Sequence, residues 1–489
     1  MIKRILWVAV VTLGLVASLG ATEFKVGGVY TAWAQSQHSF LLKEDAYDMN
    51  YAVQMLRFNV QGIANENVKF VTRFDIAQGW WGVDNQMRTL SNIANRGSSA
   101  LFDFKETNYL LHVDQAYVDF TLPNRPINVK IGRQWYGVGH KLMVDNNYDG
   151  IQVGIGKGLN LGWAKVSEGE DNTSDSFDAD ANVDNRDADL YTLAYNGKAG
   201  ALGYSAFGFY YNDQSIEDGQ AYIHDDLQFF KTRFSPQVTQ LTAFGLTAKY
   251  KAGKLCVDGE FDYLTGKDDI ANTSYAGNKP DSYDINDGTL SGFNLYAKAD
   301  FAASDALSVG AVFGLGSGDD DLTGGAGNVN KLRTSGFFYI TEIWEDSIMP
   351  DEEGITPQGL GAPNVRAYRE LENSTIIQGN VTFKGIPKTK VFVSGSLISA
   401  TQPIPAWAMD VDTNNDGTND AISIDNATTA KDLGTEVDFK IDYAIVKNLS
   451  CSLRGGYFFP GDAAGYLING NATNLDPAYE FKGVILYKF

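Results

Sequence analysis

The sequence predicts an all-β protein: a transmembrane antiparallel β-barrel of about 18 strands, with short periplasmic turns and long extracellular loops. Three observations carry that expectation. The last eleven residues alternate strictly, with Tyr479, Phe481, Gly483, Ile485, Tyr487 and Phe489 on one face and Glu480, Lys482 and Lys488 on the other. Period two is the signature of a strand with one apolar and one wet face, and an aromatic final residue suits the closing strand of a barrel with aromatic girdles. At the other end, Lys3 and Arg4 precede an apolar run from Ile5 to Val16 and the small residues Ala17, Ser18, Gly20 and Ala21, which reads as an export signal cleaved after Gly20. Between them, alternating segments of about ten residues recur, joined by connections that are short, long, short, long.

Composition agrees. The chain of 489 residues carries a net charge of −21; without Lys3 and Arg4 it is −23. Such an acidic chain is a poor partner for nucleic acid. With 51 Gly, 25 Tyr and 28 Phe, it has the composition of many short strands. No stretch is long and apolar enough for a transmembrane helix. Residues 1–20 are thus expected to be a signal peptide and 21–489 a single barrel domain.

Eighteen strands are expected near residues 23–35, 51–62, 68–78, 108–121, 127–136, 149–156, 159–167, 188–196, 201–212, 239–251, 255–266, 289–301, 306–316, 375–384, 389–400, 433–446, 449–459 and 478–489. The tight connections are rich in Gly, Asn, Asp and Pro, as in Pro123-Asn124-Arg125-Pro126, Gly197-Lys198-Ala199-Gly200, Gly385-Ile386-Pro387-Lys388 and Val446-Lys447-Asn448, the residues that supply turn dihedrals. An even strand number puts both termini on the periplasmic rim. A propeller or β-helix would need a repeat of fixed period, and none is present.

The faces separate cleanly on two strands. Leu56, Phe58 and Val60 alternate with Arg57, Asn59 and Gln61; Phe70, Thr72, Phe74 and Ile76 alternate with Lys69, Arg73 and Asp75. Several charges on one face of a strand are costly in a packed core and cheap in a watery lumen.

Val113-Asp114-Gln115-Ala116-Tyr117-Val118-Asp119-Phe120, a turn, and Ile127-Asn128-Val129-Lys130-Ile131-Gly132-Arg133-Gln134 resemble the fourth-to-fifth-strand hairpin of the alginate-export-like porins. Tyr148-Asp149-Gly150-Ile151-Gln152 fits the next strand of that pattern. Gly316-Ser317-Gly318-Asp319-Asp320-Asp321, the long loop after it and Asn364 near its end also look like that family. The resemblance implies an eighteen-stranded monomeric outer-membrane channel. The family's exporter has a lumen crowded with arginine for an anionic polysaccharide; this chain has few inward arginines.

Alternation assigns the lumen. Basic inward positions are Arg57, Lys69, Arg73, Lys130 and Arg133, continued by Arg454 and Lys482 on the last two strands. Acidic inward positions are Asp75, then Asp258, Glu260 and Asp262 on the eleventh strand, and Glu436 and Asp438 on the sixteenth, which also carries Lys440 and Asp442. A basic wall facing an acidic one would set a transverse field across the pore; the competing expectation is a set of solvated residues paired into salt bridges. His112 and Asp114 share a face and read as interfacial residues. Cys256 has inward parity and Cys451 outward parity, so no disulfide is expected between them.

No cofactor is required on this reading. One segment suggests a metal: Asp412-x-Asn414-x-Asp416-Gly417-Thr418-x-Asp420 sets oxygens at positions 1, 3, 5 and 9 of a calcium loop, with Thr418 offering its backbone carbonyl. Position 12 is Ser423 in place of the bidentate Glu, so affinity would be low; a plain Asn/Asp/Gly turn fits equally. The segment 168–187, with eight acidic residues and Arg186, lacks calcium spacing and suits an external loop bridged by divalent ions to lipopolysaccharide. Enzyme readings fail on inventory: the four His (His38, His112, His140, His224) form no haem or zinc motif, and no Gly-x-Ser-x-Gly elbow is present.

The expected function is passive diffusion of small hydrophilic or charged solutes through a water-filled lumen. The partners are outer-membrane lipid, lipopolysaccharide and the barrel-assembly machinery. The alternatives are a sleeve or adhesin barrel, or an exporter of an anionic polysaccharide. The lumen is expected to be narrowed by an inward loop, either 79–107 with Trp80 and Trp81, or 317–374 with its apolar run Phe337-Phe338-Tyr339-Ile340-Thr341.

Overall fold

The computed structural model describes residues 23–44, 48–81, 112–167, 187–214, 240–268, 288–318, 326–328, 338–348, 371, 373–411 and 421–489. Residues 1–20, read as a signal peptide, lie outside them, as do the 412–420 segment, 168–186 and most of 79–107.

Nineteen strands follow in order: β1 (Glu23–His38), β2 (Met49–Asn65), β3 (Val68–Trp80), β4 (His112–Thr121), β5 (Ile127–Gly137), β6 (Asp145–Ile155), β7 (Leu159–Ser167), β8 (Ala188–Ala199), β9 (Leu202–Asp213), β10 (Gln240–Ala252), β11 (Leu255–Asp268), β12 (Gly288–Ala302), β13 (Leu307–Gly316), β14 (Ala326–Asn328), β15 (Ser374–Phe383), β16 (Thr389–Val411), β17 (Ala421–Val446), β18 (Leu449–Pro460) and β19 (Ala478–Lys488). Each strand except β14 pairs antiparallel with its neighbours, and β19 pairs with β1, so eighteen strands close a barrel. The three-residue β14 lies parallel against β12 and stands outside that count. Each of the eighteen expected segments overlaps one barrel strand. The largest difference is at β16 and β17, which run on as a long hairpin past the expected ends at 400 and 433, with register shifts between Ile398 and Val411.

Alternation decides what each strand shows to either side. The outer face carries Leu246, Phe261, Leu295, Ile377, Leu397, Val437, Leu453, Phe481 and Ile485, all exposed. With lipid around them these residues are at their solvent optimum, and closure leaves no unpaired sheet edge in the hydrocarbon. Phe489 and Tyr487 stack with centroids 5.8 Å apart, and Phe489 meets Phe58 edge-on at 5.4 Å. The register pairs Tyr30 with Tyr487; Phe24 lies below the last register pair and packs on Phe70 instead.

The described interior is not only polar. Two clusters of buried apolar residues stand in it. One gathers Tyr136, Val138, Met143, Val144, Leu190, Phe207 and Leu264. The other joins Phe40 and Leu42, from the β1–β2 connection, to Leu142, Ile343 and Trp344. A short helix after β18, α1 (Asp462–Asn469), adds Ala463, Ala464, Leu467 and Ile468 to that second cluster. Segments from the connections between strands are therefore folded into the barrel and carry their own core with them. Both cysteines are free.

Candidate solute pathway and its constriction

Two segments enter the barrel. The first is 138–144, between β5 and β6. Gly139 has φ +54°, and a Cβ there would stand 2.3 Å from Glu260 Oε1, so glycine permits both the turn and the approach. His140 then spans two carboxylates of β11: Nδ1 lies 2.6 Å from Glu260 Oε2 and Nε2 lies 2.8 Å from Asp258 Oδ1. The hydrogen bond to Glu260 is the largest effect on the imidazole and lifts its pKa above the usual histidine value. Lys249 bonds the other oxygen of Asp258 at 2.6 Å.

The second segment, 338–348, ends in a π-turn over Trp344–Ile348. It lies on the wall made by β17, β18 and β19. The Glu436 carboxylate accepts the backbone N–H of Ile343 at 2.6 Å and of Trp344 at 2.9 Å. Ser347 Oγ donates to Glu480 at 2.9 Å. Arg454 pairs with Glu342 at 3.0 Å, and Lys482 lies 3.4 Å from Asp346 and 3.1 Å from Glu480. Burial is the main effect on Glu342 and brings its pKa up to about 7, against the pull of Lys482. The two segments meet over one ring: Tyr296 of β12 packs on His140 at 5.4 Å and on Phe338 at 5.2 Å.

The side of the barrel formed by β2, β3 and β4 remains more open. Arg57 binds Asp75 through two bonds of 2.7 Å and reaches Asp114 at 3.3 Å. Arg73 pairs with Asp114. Lys69 pairs with Asp119 at 3.3 Å, and Lys130 sits over the Tyr117 ring at 5.8 Å. Arg57, Lys69 and Arg73 are between about a quarter and two-fifths exposed, so they border free volume while holding carboxylates.

The interior face thus carries Arg57, Lys69, Arg73, Lys130, Arg454 and Lys482, together with Asp75, Asp258, Glu260, Asp262, Glu436 and Asp438. Arg133 does not belong there. The β4–β5 and β5–β6 registers run without a shift past it, so Lys130, Gln134 and Tyr136 point in while Ile131, Arg133 and Trp135 point out. Gln134 and Tyr136 are buried; Ile131 and Trp135 are exposed. Arg133 meets Asp149 on the outer surface at 3.3 Å.

Of the two expectations for these charges, the salt-bridged one describes this side of the barrel: Arg57, Lys69 and Arg73 are each paired with a carboxylate from a neighbouring strand. Asp114, read from the sequence as interfacial, is central to that pairing. A register shift opposite Arg73/Phe74 turns it toward the arginines. His140 and Glu342 had no signal in the sequence at all, since they act from loops. Of the expected narrowing loops, part of 317–374 is seen inside the barrel as 338–348. The 79–107 candidate and the residues Asp412, Asn414, Asp416, Thr418 and Asp420 lie almost entirely outside the described residues; Trp81 is seen and bonds Gln54 at 3.0 Å.

No family model matches the chain, and no curated protein matches it. Solved structures do. OpdK of Pseudomonas aeruginosa, solved with vanillate, is 11% identical with a TM-score of 0.50, covering 96% of this chain and 98% of that one. OccK9 (OpdG) of the same organism is 11% identical with a TM-score of 0.50, covering 96% and 99%. OccAB2 of Acinetobacter baumannii is 12% identical with a TM-score of 0.50, covering 96% and 98%. The fold is that of outer-membrane porins. At such identities the likeness is one of fold.

Proposed function

We propose that the chain is an outer-membrane porin through which small hydrophilic or charged solutes diffuse passively. The observation that carries this reading is the contrast across one wall: apolar side chains outside, and inside a partly exposed band of ion pairs, narrowed by 138–144 and 338–348. Fixed, paired charges beside free volume replace part of a solute's hydration at each step without trapping it. That the OpdK barrel was solved with vanillate, a small carboxylate, supports this class of solute.

Export through residues 1–20, contact with lipopolysaccharide, insertion by the barrel-assembly machinery and weak calcium binding at 412–420 belong to the same reading. The narrower resemblance to alginate-export-like porins stays within it. A polyanion exporter is not favoured, since Arg57, Arg73 and Arg454 already hold carboxylates. So is a sleeve around a partner protein, because the inward segments occupy the volume it would need.

The test is single-channel recording of the purified barrel in a planar bilayer. Discrete, ohmic conductance steps are expected. A barrel that inserts but stays silent under all voltages would sink the porin assignment.

A further inference from the structure

The outer face of the barrel carries one polar cluster that the solute pathway does not use. On β1, Gln35 and Gln37 point inward and donate to Glu480 of β19, Gln37 at 2.7 Å. Period two therefore sends Ser36 and His38 outward. The register with β19 agrees. Ser36 stands opposite the exposed Phe481, and His38 stands opposite Tyr479 and stacks on its ring at 4.5 Å. This is the rim where β1 ends, at the far end of β19 from Phe489.

Three side chains line up there. His38 Nε2 lies 2.9 Å from Ser36 Oγ, and His38 Nδ1 lies 3.1 Å from Asp48 Oδ2. Asp48 comes just before β2, and its other oxygen accepts the backbone N–H of Ser39 at 2.8 Å. Ser39 takes a left-handed φ of +56° beside it, a strained conformation for a residue other than glycine. The Ser39 N–H, more than the neighbouring His38, holds the Asp48 carboxyl below its ordinary pKa. An ionised Asp48 keeps a proton on Nδ1 and leaves the Nε2 lone pair facing the serine hydroxyl. Nucleophile, base and orienting carboxylate thus stand in the order that serine hydrolysis needs. His38 and Asp48 are 27% and 33% exposed, so the site is open to reagents. Asn50, the register partner of Ser36 on β2, is exposed on the same face and brings an amide donor for a developing oxyanion. Aromatic rings border the other side: Tyr479 stacks on Tyr457 at 5.6 Å and meets Phe481 at 6.2 Å, and Tyr457 lies 4.8 Å from Phe459.

We propose that Ser36, His38 and Asp48 form a serine hydrolase site that cleaves the acyl esters of membrane lipids. The site faces away from the lumen, and its aromatic border offers a surface along which an acyl chain can lie. His38 Nε2 takes the hydroxyl proton as Ser36 Oγ attacks the ester carbonyl carbon. The carbon–oxygen bond to the alcohol then breaks, the alcohol leaves with that proton, and the acyl group stays on Ser36. Water attacks the acyl carbon next and gives a proton to His38, which returns it to Ser36 Oγ as the fatty acid departs. One ester and one water become one acid and one alcohol, with no oxidant or cofactor. Ser36 and His38 are the catalytic residues and Asp48 is a positioning residue. This activity is separate from solute diffusion and does not depend on conductance.

The test uses the whole barrel refolded from inclusion bodies, so that no other envelope hydrolase is carried along, with heat-modifiable migration on gels to show that each variant is folded. A fluorophosphonate probe, which traps activated serines, is expected to label Ser36, as located by peptide mass spectrometry. Fatty acid should be released from vesicles of phosphatidylethanolamine or of lipopolysaccharide, and the vesicle that reacts names the lipid. Ser36→Ala and His38→Ala should each lower kcat/KM about a thousandfold or more. Asp48→Asn should lower kcat roughly a hundredfold with KM unchanged, and Asp48→Glu should recover part of it, a split that loss of structure alone would not give. A folded parent that leaves Ser36 unlabelled, turnover that survives Ser36→Ala, or no fatty acid from either vesicle would each overturn the proposal.

Discussion

Glu436→Ala tests how the 338–348 segment is held inside the barrel. Glu436 accepts two backbone N–H groups, from Ile343 at 2.6 Å and Trp344 at 2.9 Å, and is buried. Its removal leaves both N–H groups unpaired in a water-poor site, at about 1–3 kcal/mol each. Part of that is offset because a carboxylate no longer has to be desolvated. A net weakening of about 2–3 kcal/mol for the docked segment is expected, which raises its undocked fraction roughly 30- to 140-fold. Hydrogen exchange read at the Ile343 and Trp344 amides should accelerate by that factor, and single-channel records should show larger or more frequent open steps. Glu436→Gln keeps one acceptor oxygen and should fall between. Unchanged exchange in Glu436→Ala would refute the view that this carboxylate anchors the segment.

The other predictions concern charge. The pKa of His140 is raised in the folded barrel, so its ion pairs hold 138–144 fully below the ordinary histidine range and are lost as pH rises through the raised value. Open-channel noise should therefore grow as pH is raised above the ordinary histidine value of about 6.5, and His140→Gln should record the same noise at low and high pH. Arg57→Ala strands the buried Asp75 carboxylate and should destabilise the barrel by about 3–5 kcal/mol, measured by chemical unfolding in detergent; a loss below about 1 kcal/mol would place the pair among those of exposed surfaces. Weak calcium binding by the purified protein, detected by calorimetry, should disappear in Asp416→Ala, and an absence of binding in the parent would end that assignment.

Much of this architecture was legible because period-two alternation is a local property. Phe58 and Arg57 declare their faces within a single strand, and turns such as Gly197-Lys198-Ala199-Gly200 declare the rim. Strand existence, strand number and most inward positions follow from those two signals. Arg133 was misplaced because its face depends on whether register is kept through Gly132, a matter settled by pairing with β4 and β6. Asp114 was misread for the converse reason: a register shift there reverses local parity. The inward segments were harder still. Phe337-Phe338-Tyr339-Ile340-Thr341 is conspicuous as an apolar run in a polar connection, but nothing in 138–144 announces that Gly139 and His140 will settle on Glu260.

The sequence by itself determined the wall of this protein: eighteen amphipathic strands, their order, and an apolar exterior, because each strand's two faces are written in consecutive residues. The tertiary structure alone decided the interior, where Tyr296 joins two loop segments about 200 residues apart in the chain (140 and 338) and where every lumenal arginine named here meets its carboxylate. Those contacts depend on strand register and on loops crossing the lumen, and neither is encoded within any one stretch of chain.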